Sequence, residues 1–179
     1  MESVFRNYGI ILRMALISDC HFILSLRTDP QLNQYLSETS ESLTKQIKWF
    51  EDYKRREKKQ LEYYFIVENE YGESQGTTRI YNLETGFFTL GSWLFKRDAD
   101  WGSPIKADIL TKEIGFETLG FDKCRFDVRK NNHTVIKYHK TFNPTVIEED
   151  EQNFYFELTR KNFELNKMKF LNFFGYGVS

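Results

Sequence analysis

Cysteine, histidine and net charge are all scarce in this 179-residue chain. The two cysteines, Cys20 and Cys124, form neither a metal-ligand spacing nor a CxxC pair, and the lack of a disulfide framework fits a reducing compartment, read here as the cytoplasm. Only His21, His133 and His139 offer imidazole, none with an acidic residue in HExxH-like spacing, so no metal is expected. Twenty-five Lys and Arg against 26 Asp and Glu leave a net charge of −1, which removes the global electrostatic argument for a nucleic-acid or acidic-membrane partner. The segment Met1-Glu2-Ser3-Val4-Phe5-Arg6 lacks a basic region followed by an apolar one, so no secretory signal is expected, and no run is apolar for long enough to span a membrane. No Walker loop, GxGxxG or GxSxG occurs; Gly91-Ser92-Trp93 falls inside an expected strand rather than at a strand-to-helix turn. The run Glu148-Glu149-Asp150-Glu151 reads as a solvated turn rather than a cation site.

Aromatic residues, by contrast, are plentiful: 3 Trp, 10 Tyr and 17 Phe. With 40% hydrophobic and 28% charged residues, the composition is that of one folded domain able to bury its own core. The apolar run Gly9 to Ala15 predicts a strand, followed at Ser18-Asp19 by a cap for a helix over Cys20 to Leu26. Pro30 permits a second short helix, about Gln31 to Leu36. Ser42 precedes the stripe Leu43, Ile47, Phe50 and Tyr53 on a long charged helix whose end, Lys54 to Lys59, suits the helix dipole. The period then shortens to that of strands at Tyr63–Val67, Gly76–Tyr81 and Phe87–Phe95, three antiparallel neighbours. A loop, Arg97 to Pro104, feeds a helix carrying Ile105, Ile109, Leu110, Ile114 and Leu119, and a helix N-terminus of this kind can hold phosphate on its backbone amides. A strand at Cys124–Val128, a helix at about Asn132–Phe142 and strands at Thr145–Glu148 and Phe154–Thr159 complete the order β-α-α-α-β-β-β-α-β-α-β-β.

Two blocks within this order resemble the GNAT superfamily of N-acetyltransferases, in the branch that includes ribosomal-protein and nucleotide-sugar acetyltransferases. Arg97-Asp98-Ala99-Asp100-Trp101-Gly102 is similar to the family's pyrophosphate loop, Gln/Arg-x-x-Gly-x-Gly/Ala, with Asp100 where its first glycine is expected. An aspartate there implies repulsion of pyrophosphate and a restricted backbone. Asp127 through Asn143 resembles the strand, Asn-containing turn and helix that follow, with Asn132 at the asparagine position, His139 where tyrosine is common and Asn143-Pro144 in place of Gly-Phe. The resemblance runs from Ile10 to Arg160. It implies an α+β fold, a mixed, mostly antiparallel sheet flanked by helices, with acetyl-CoA held at a splayed strand pair. Residues 1–164 would form the GNAT-like domain and residues 165–179 an apolar C-terminal extension, docked within the chain or across a homodimer.

The implied chemistry is acetyl transfer to a small-molecule primary amine, most closely that of a nucleotide-linked amino sugar in surface-polysaccharide biosynthesis. Protein N-terminal or polyamine acetylation and a noncatalytic CoA-binding module are the alternatives. On this register Leu94, Phe95 and Lys96 offer backbone groups to the pantetheine arm, Arg97, Trp101, Gly102 and Ser103 face pyrophosphate, and Asn132 completes the cofactor contacts. His139 or Tyr138 protonates the departing thiolate; the two point about 100° apart on one helix, so one at most faces the cofactor. An unperturbed imidazole would be about one quarter protonated at pH 7. Asp29, Gln34, Tyr35, Trp49 and Arg79 are the acceptor-site candidates. Thr89-Leu90-Gly91-Ser92 lacks the glutamate that many relatives carry there, so the general base is unassigned.

Overall fold

The computed structural model describes residues 2–32 and 42–177. The chain enters through a strand that the sequence reading missed, β1 (Val4–Asn7), which turns at Tyr8-Gly9, both at positive φ, into β2 (Ile10–Met14). Two such residues between paired strands make the tight turn that matches strand twist. After a 3-10 turn at Ile17–Asp19 comes α1 (Cys20–Thr28), burying Cys20, Ile23 and Leu26. Asp19 does not cap α1 through its side chain; its carboxylate accepts the Leu16 amide at 2.7 Å and pairs with Arg13. Of the second short helix expected after Pro30, Gln31 and Leu32 lie in a turn and the rest falls outside the described residues. Helix α2 (Leu43–Lys58) begins as expected, with Ser42 Oγ accepting the Lys45 amide.

Strands β3 (Tyr63–Asn69), β4 (Ser74–Glu84) and β5 (Phe87–Phe95) run antiparallel. Next comes α3 (Ser103–Glu113), continuing into a wider π-type turn at Ile114–Thr118. Gly115 in that turn admits the Phe88 ring, which would lie 2.1 Å from any Cβ built there. Then follow β6 (Lys123–Arg129), α4 (His133–Lys140), β7 (Thr145–Glu149), β8 (Asn153–Thr159) and α5 (Arg160–Phe173). The sheet order is β1-β2-β3-β4-β5-β6-β8-β7, antiparallel except for β5 and β6. This is the α+β arrangement the sequence implies.

Side chains alternate between the two faces of a strand, and each face has its own apolar cluster. One packs Leu12, Phe65, Val67, Phe88, Leu90, Phe126 and Val128 against α3 and Ile136 of α4. The other packs Tyr64 and Ile66 against Phe50 and Tyr53 of α2 and Ile23 of α1. Helix α5 lies on the first face: Phe163 and Leu171 are buried, Phe170 meets the rings of Tyr138 and Phe142, and Lys167 pairs with Glu113 of α3. The boundary drawn between residues 164 and 165 falls inside this helix. No helix among the described residues is long and apolar enough to cross a membrane.

Candidate functional site

Strands β5 and β6 are paired only from Phe87–Thr89 to Lys123–Arg125; beyond that register they part. A bulge assists, because β5 fits three steps, Gly91 to Leu94, against the two from Arg79 to Thr77 on β4. Ser92 sits in the bulge at φ 51°, its carbonyl accepting the Thr77 hydroxyl at 2.7 Å. The gap is a cleft of about 460 Å³, lined by Leu90, Gly91, Trp93, Leu94 and Phe95 on one side and by Phe126, Asp127, Val128 and Arg129 on the other. Asp108, Asn132 and His139 close one mouth and Gln31 and Leu32 the other. The lining is thus drawn from β5, β6, α3 and α4 and from the turn that follows α1.

Four polar side chains are concentrated against the α3–α4 mouth. Lys112 is fully buried, pairs with Asp108 one helical turn earlier, and lies over the rings of Phe126, Tyr138 and Phe142. The Tyr138 hydroxyl donates to the same Asp108 oxygen at 2.6 Å. Burial alone would raise the Asp108 carboxyl, but Lys112 and the other neighbours reverse that and hold it below the usual range. Burial and Asp108 push the Tyr138 hydroxyl well up, so it stays protonated. His139 is pushed down to about 3, first by burial and then by the Lys112 ammonium. The quarter-protonated imidazole expected from sequence is therefore replaced by a neutral ring, resting on Phe126 with its Nδ1 buried and unpartnered.

The remaining sequence candidates separate. Tyr138 does not line the cleft: Asp108 holds its hydroxyl, and its ring stacks on Trp93. Leu94, Phe95, Asn132 and His139 do line it. The Lys96 amide is bonded to the Gln75 carbonyl, and the Ser103 amide to the Asp100 carbonyl, so neither is available to a ligand as expected. Among the hydrogen bonds of the described residues, the amides of Trp101 and Gly102 have no protein acceptor. Gly102, at φ 80°, caps α3, and Phe174 from the end of α5 covers the position a Cβ would take. Asp100 is not at positive φ and does not need glycine's freedom; its carboxylate accepts Asn69 Nδ2 at 2.9 Å and its amide donates to Gln75 Oε1 at 2.8 Å. The expected repulsive intruder thus ties the loop to β3 and β4.

Arg97 grips Asp29 at 2.8 Å, joining a cofactor candidate to an acceptor candidate, and neither lines the cleft. Trp49 and Arg79 do not line the cleft. Trp49 stacks on Tyr53, and Arg79 pairs with Glu62 and lies over the Trp49 and Tyr81 rings. Gln34 and Tyr35 lie outside the described residues. Sequence reasoning missed Trp93, Asp108, Lys112 and Asp127. The Asp108/Lys112 spacing of four was a legible helical ion-pair signal.

Removing one member of a buried ion pair leaves an uncompensated charge, at a scale of about 3–5 kcal/mol. Asp108→Asn should lower stability in denaturant melts by that order, and adding Lys112→Met should restore a large part of it. Equal losses in the single and double variants would show that the pair is not the stabilising unit.

The site's relatives agree with its geometry. A family model described as an acetyltransferase (GNAT) domain matches residues 10–142. Among solved structures, apo FdhC, a nucleotide-linked sugar GNAT, superposes with a TM-score of 0.87 at 30% identity, covering 98% of this chain and 100% of that one. The ribosomal-protein-S5-alanine acetyltransferase of Vibrio fischeri gives a TM-score of 0.75 at 14% identity, covering 90% of this chain and 99% of that one. Spermidine N-acetyltransferase of Vibrio cholerae, in complex with CoA and spermine, gives a TM-score of 0.75 at 15% identity, covering 88% and 99%. No curated protein sequence matches the chain. A strand pair that parts beside the N-terminus of α3, a family match across residues 10–142 and whole-length structural agreement have one reading: this chain belongs to the GNAT family and is an acetyltransferase.

Proposed function

We propose that the chain transfers acetyl from acetyl-CoA to the primary amine of a nucleotide-linked amino sugar. The observation that carries this reading is the 30% identity, over the whole of both chains, to a nucleotide-linked sugar GNAT, against 14–15% for the polyamine and ribosomal-protein enzymes. The two buried free cysteines fit action in the cytoplasm.

The site suits acetyl-CoA on its own geometry. The β5 edge beyond Thr89 has no strand partner toward β6, so its backbone is open to an extended amide-bearing arm. The Trp101 and Gly102 amides, at the start of α3, suit pyrophosphate. When bound, acetyl-CoA supplies the thioester whose acyl group is transferred. Around it, Trp93, Leu94 and Phe95 exclude water from the cleft. Neutral His139 offers a ring N–H to the charge that develops on oxygen or sulfur, rather than a proton from an imidazolium. Burial and then the Lys112 ammonium keep that ring neutral, and it packs on Phe126.

Release of free thiol should be followed with acetyl-CoA and three amine classes: nucleoside-diphosphate-linked amino sugars, peptides with free N-termini, and spermidine. Turnover is expected with the amino sugars; turnover confined to peptide or spermidine would overturn the assignment, and CoA binding without any turnover would favour a noncatalytic module.

His139→Ala should lower kcat by about 10²-fold, the scale of one lost donor to developing charge, with little change in amine KM. Because the ring is neutral throughout, wild-type activity should show no limb near pH 6.5. An unchanged kcat would make His139 a packing residue.

A further inference from the structure

The cleft contains an unassigned carboxylate, and its position points to a role in handling the acceptor. On β6, Cys124, Phe126 and Val128 point into the cluster under α3 and α4, so Asp127 between them points to the opposite face, that of α1 and α2. It lines the same cleft as His139, but from the face opposite the α3 N-terminus. Gly91 stands across the gap on β5, and the ring of Tyr81 lies over it, 2.9 Å from where a Cβ would lie. Asp127 is exposed on its strand and presents its carboxylate to the cleft beside the Tyr81 ring.

Resting on the acetyl-transfer reading above, we infer that Asp127 receives the acceptor's ammonium group and acts as its general base. One proton passes from the ammonium nitrogen to an Asp127 carboxylate oxygen, freeing the lone pair that attacks the thioester carbon. As the C–N bond forms and the C–S bond breaks, nitrogen loses its second proton and the departing thiolate gains one. Asp127 later returns its proton to solvent, so the reaction releases one proton overall and requires no redox partner.

The surroundings of Asp127 suit that task. Facing it are Tyr81 of β4, Arg129 and Arg125 of its own strand, Tyr155 opposite it on β8, and Asp150 in the turn between β7 and β8. Arg125 is drawn to Glu157 at 2.9 Å. Arg129 contacts Gln152, Asp150 accepts the Tyr155 hydroxyl at 2.8 Å, and among the described residues no salt bridge holds Asp127. Although Asp127 keeps exposed surface, desolvation by the groups around it first, and Asp150 after it, raise its carboxyl above the ordinary value, against the lowering by its own backbone amide and Arg129. A raised carboxylate is a better proton acceptor and binds a cation more readily than a second anion.

The test compares wild type with Asp127→Asn, using the amine that wild type acetylates. The variant should lose about 10²-fold in kcat/KM for the amine at pH 7, within the usual range for a general base, while its dissociation constant for CoA is unchanged. That deficit should shrink as pH approaches the amine's own pKa, where solvent supplies the free base. A deficit that stays constant with pH, or no deficit, overturns the inference. A second measurement is independent of acceptor identity. With CoA present, the Asp127 carboxyl-carbon resonance, assigned by its loss in Asp127→Asn, should shift on adding n-propylammonium chloride and remain still with n-propanol. No shift with the ammonium ion equally overturns the inference. Wild type acetylating no amine, while this resonance responds, would defeat the proposed function alone.

Discussion

Two parallel neighbours in one sheet that keep only three residue pairs must leave backbone groups and side chains uncovered beyond them, and the rest of this fold is arranged around that exposure. The bulge at Ser92 turns β5 away, the alternation of β6 sends Phe126 and Asp127 to opposite faces, and the connection between β5 and β6 brings the start of α3 to the mouth. Helices on both faces then make each opening a site of different character. One mouth offers amide donors, a neutral imidazole and aromatic walls; the other offers a carboxylate.

The floor of the first mouth depends on an ion pair that water does not reach. A lysine with no exposed surface is tolerable only because Asp108 compensates its charge and three rings surround it. Burial first and then this charge keep His139 neutral, and with Tyr138 locked to Asp108 the imidazole is the one polar group of the cluster's α4 side that lines the cleft. Electrostatics and packing are therefore coupled: Lys112 bears on the histidine's protonation as well as on the core.

Much of the architecture is legible in periodicity. Ser42 as a cap, Pro104 in the first turn of α3 and the strand period of Phe87–Phe95 depend on local backbone preference, which a sequence displays directly. The site is less legible because it depends on faces and partners. Asp100 looks like an intruder in a glycine loop until Asn69 and Gln75, far away in sequence, are seen to hold it. Trp49 and Arg79 carry the chemistry of a sugar platform but are used in packing α2 on the sheet. Asp127 reads as one charged residue in a strand until the parting of β5 turns that position into a cleft wall. β1 was missed because four residues give too little alternation to separate strand from coil.

The central claim is that the gap between β5 and β6 is where acetyl-CoA binds. Hydrogen exchange measured with and without CoA tests it most directly. Slower exchange should appear in residues 90–95 of β5 and at Trp101 and Gly102 at the start of α3, with the paired stretch Phe87–Thr89 unchanged. Protection confined to another surface, such as the hollow formed by Arg6, Asn7, Gly9 and Glu70, would contradict it.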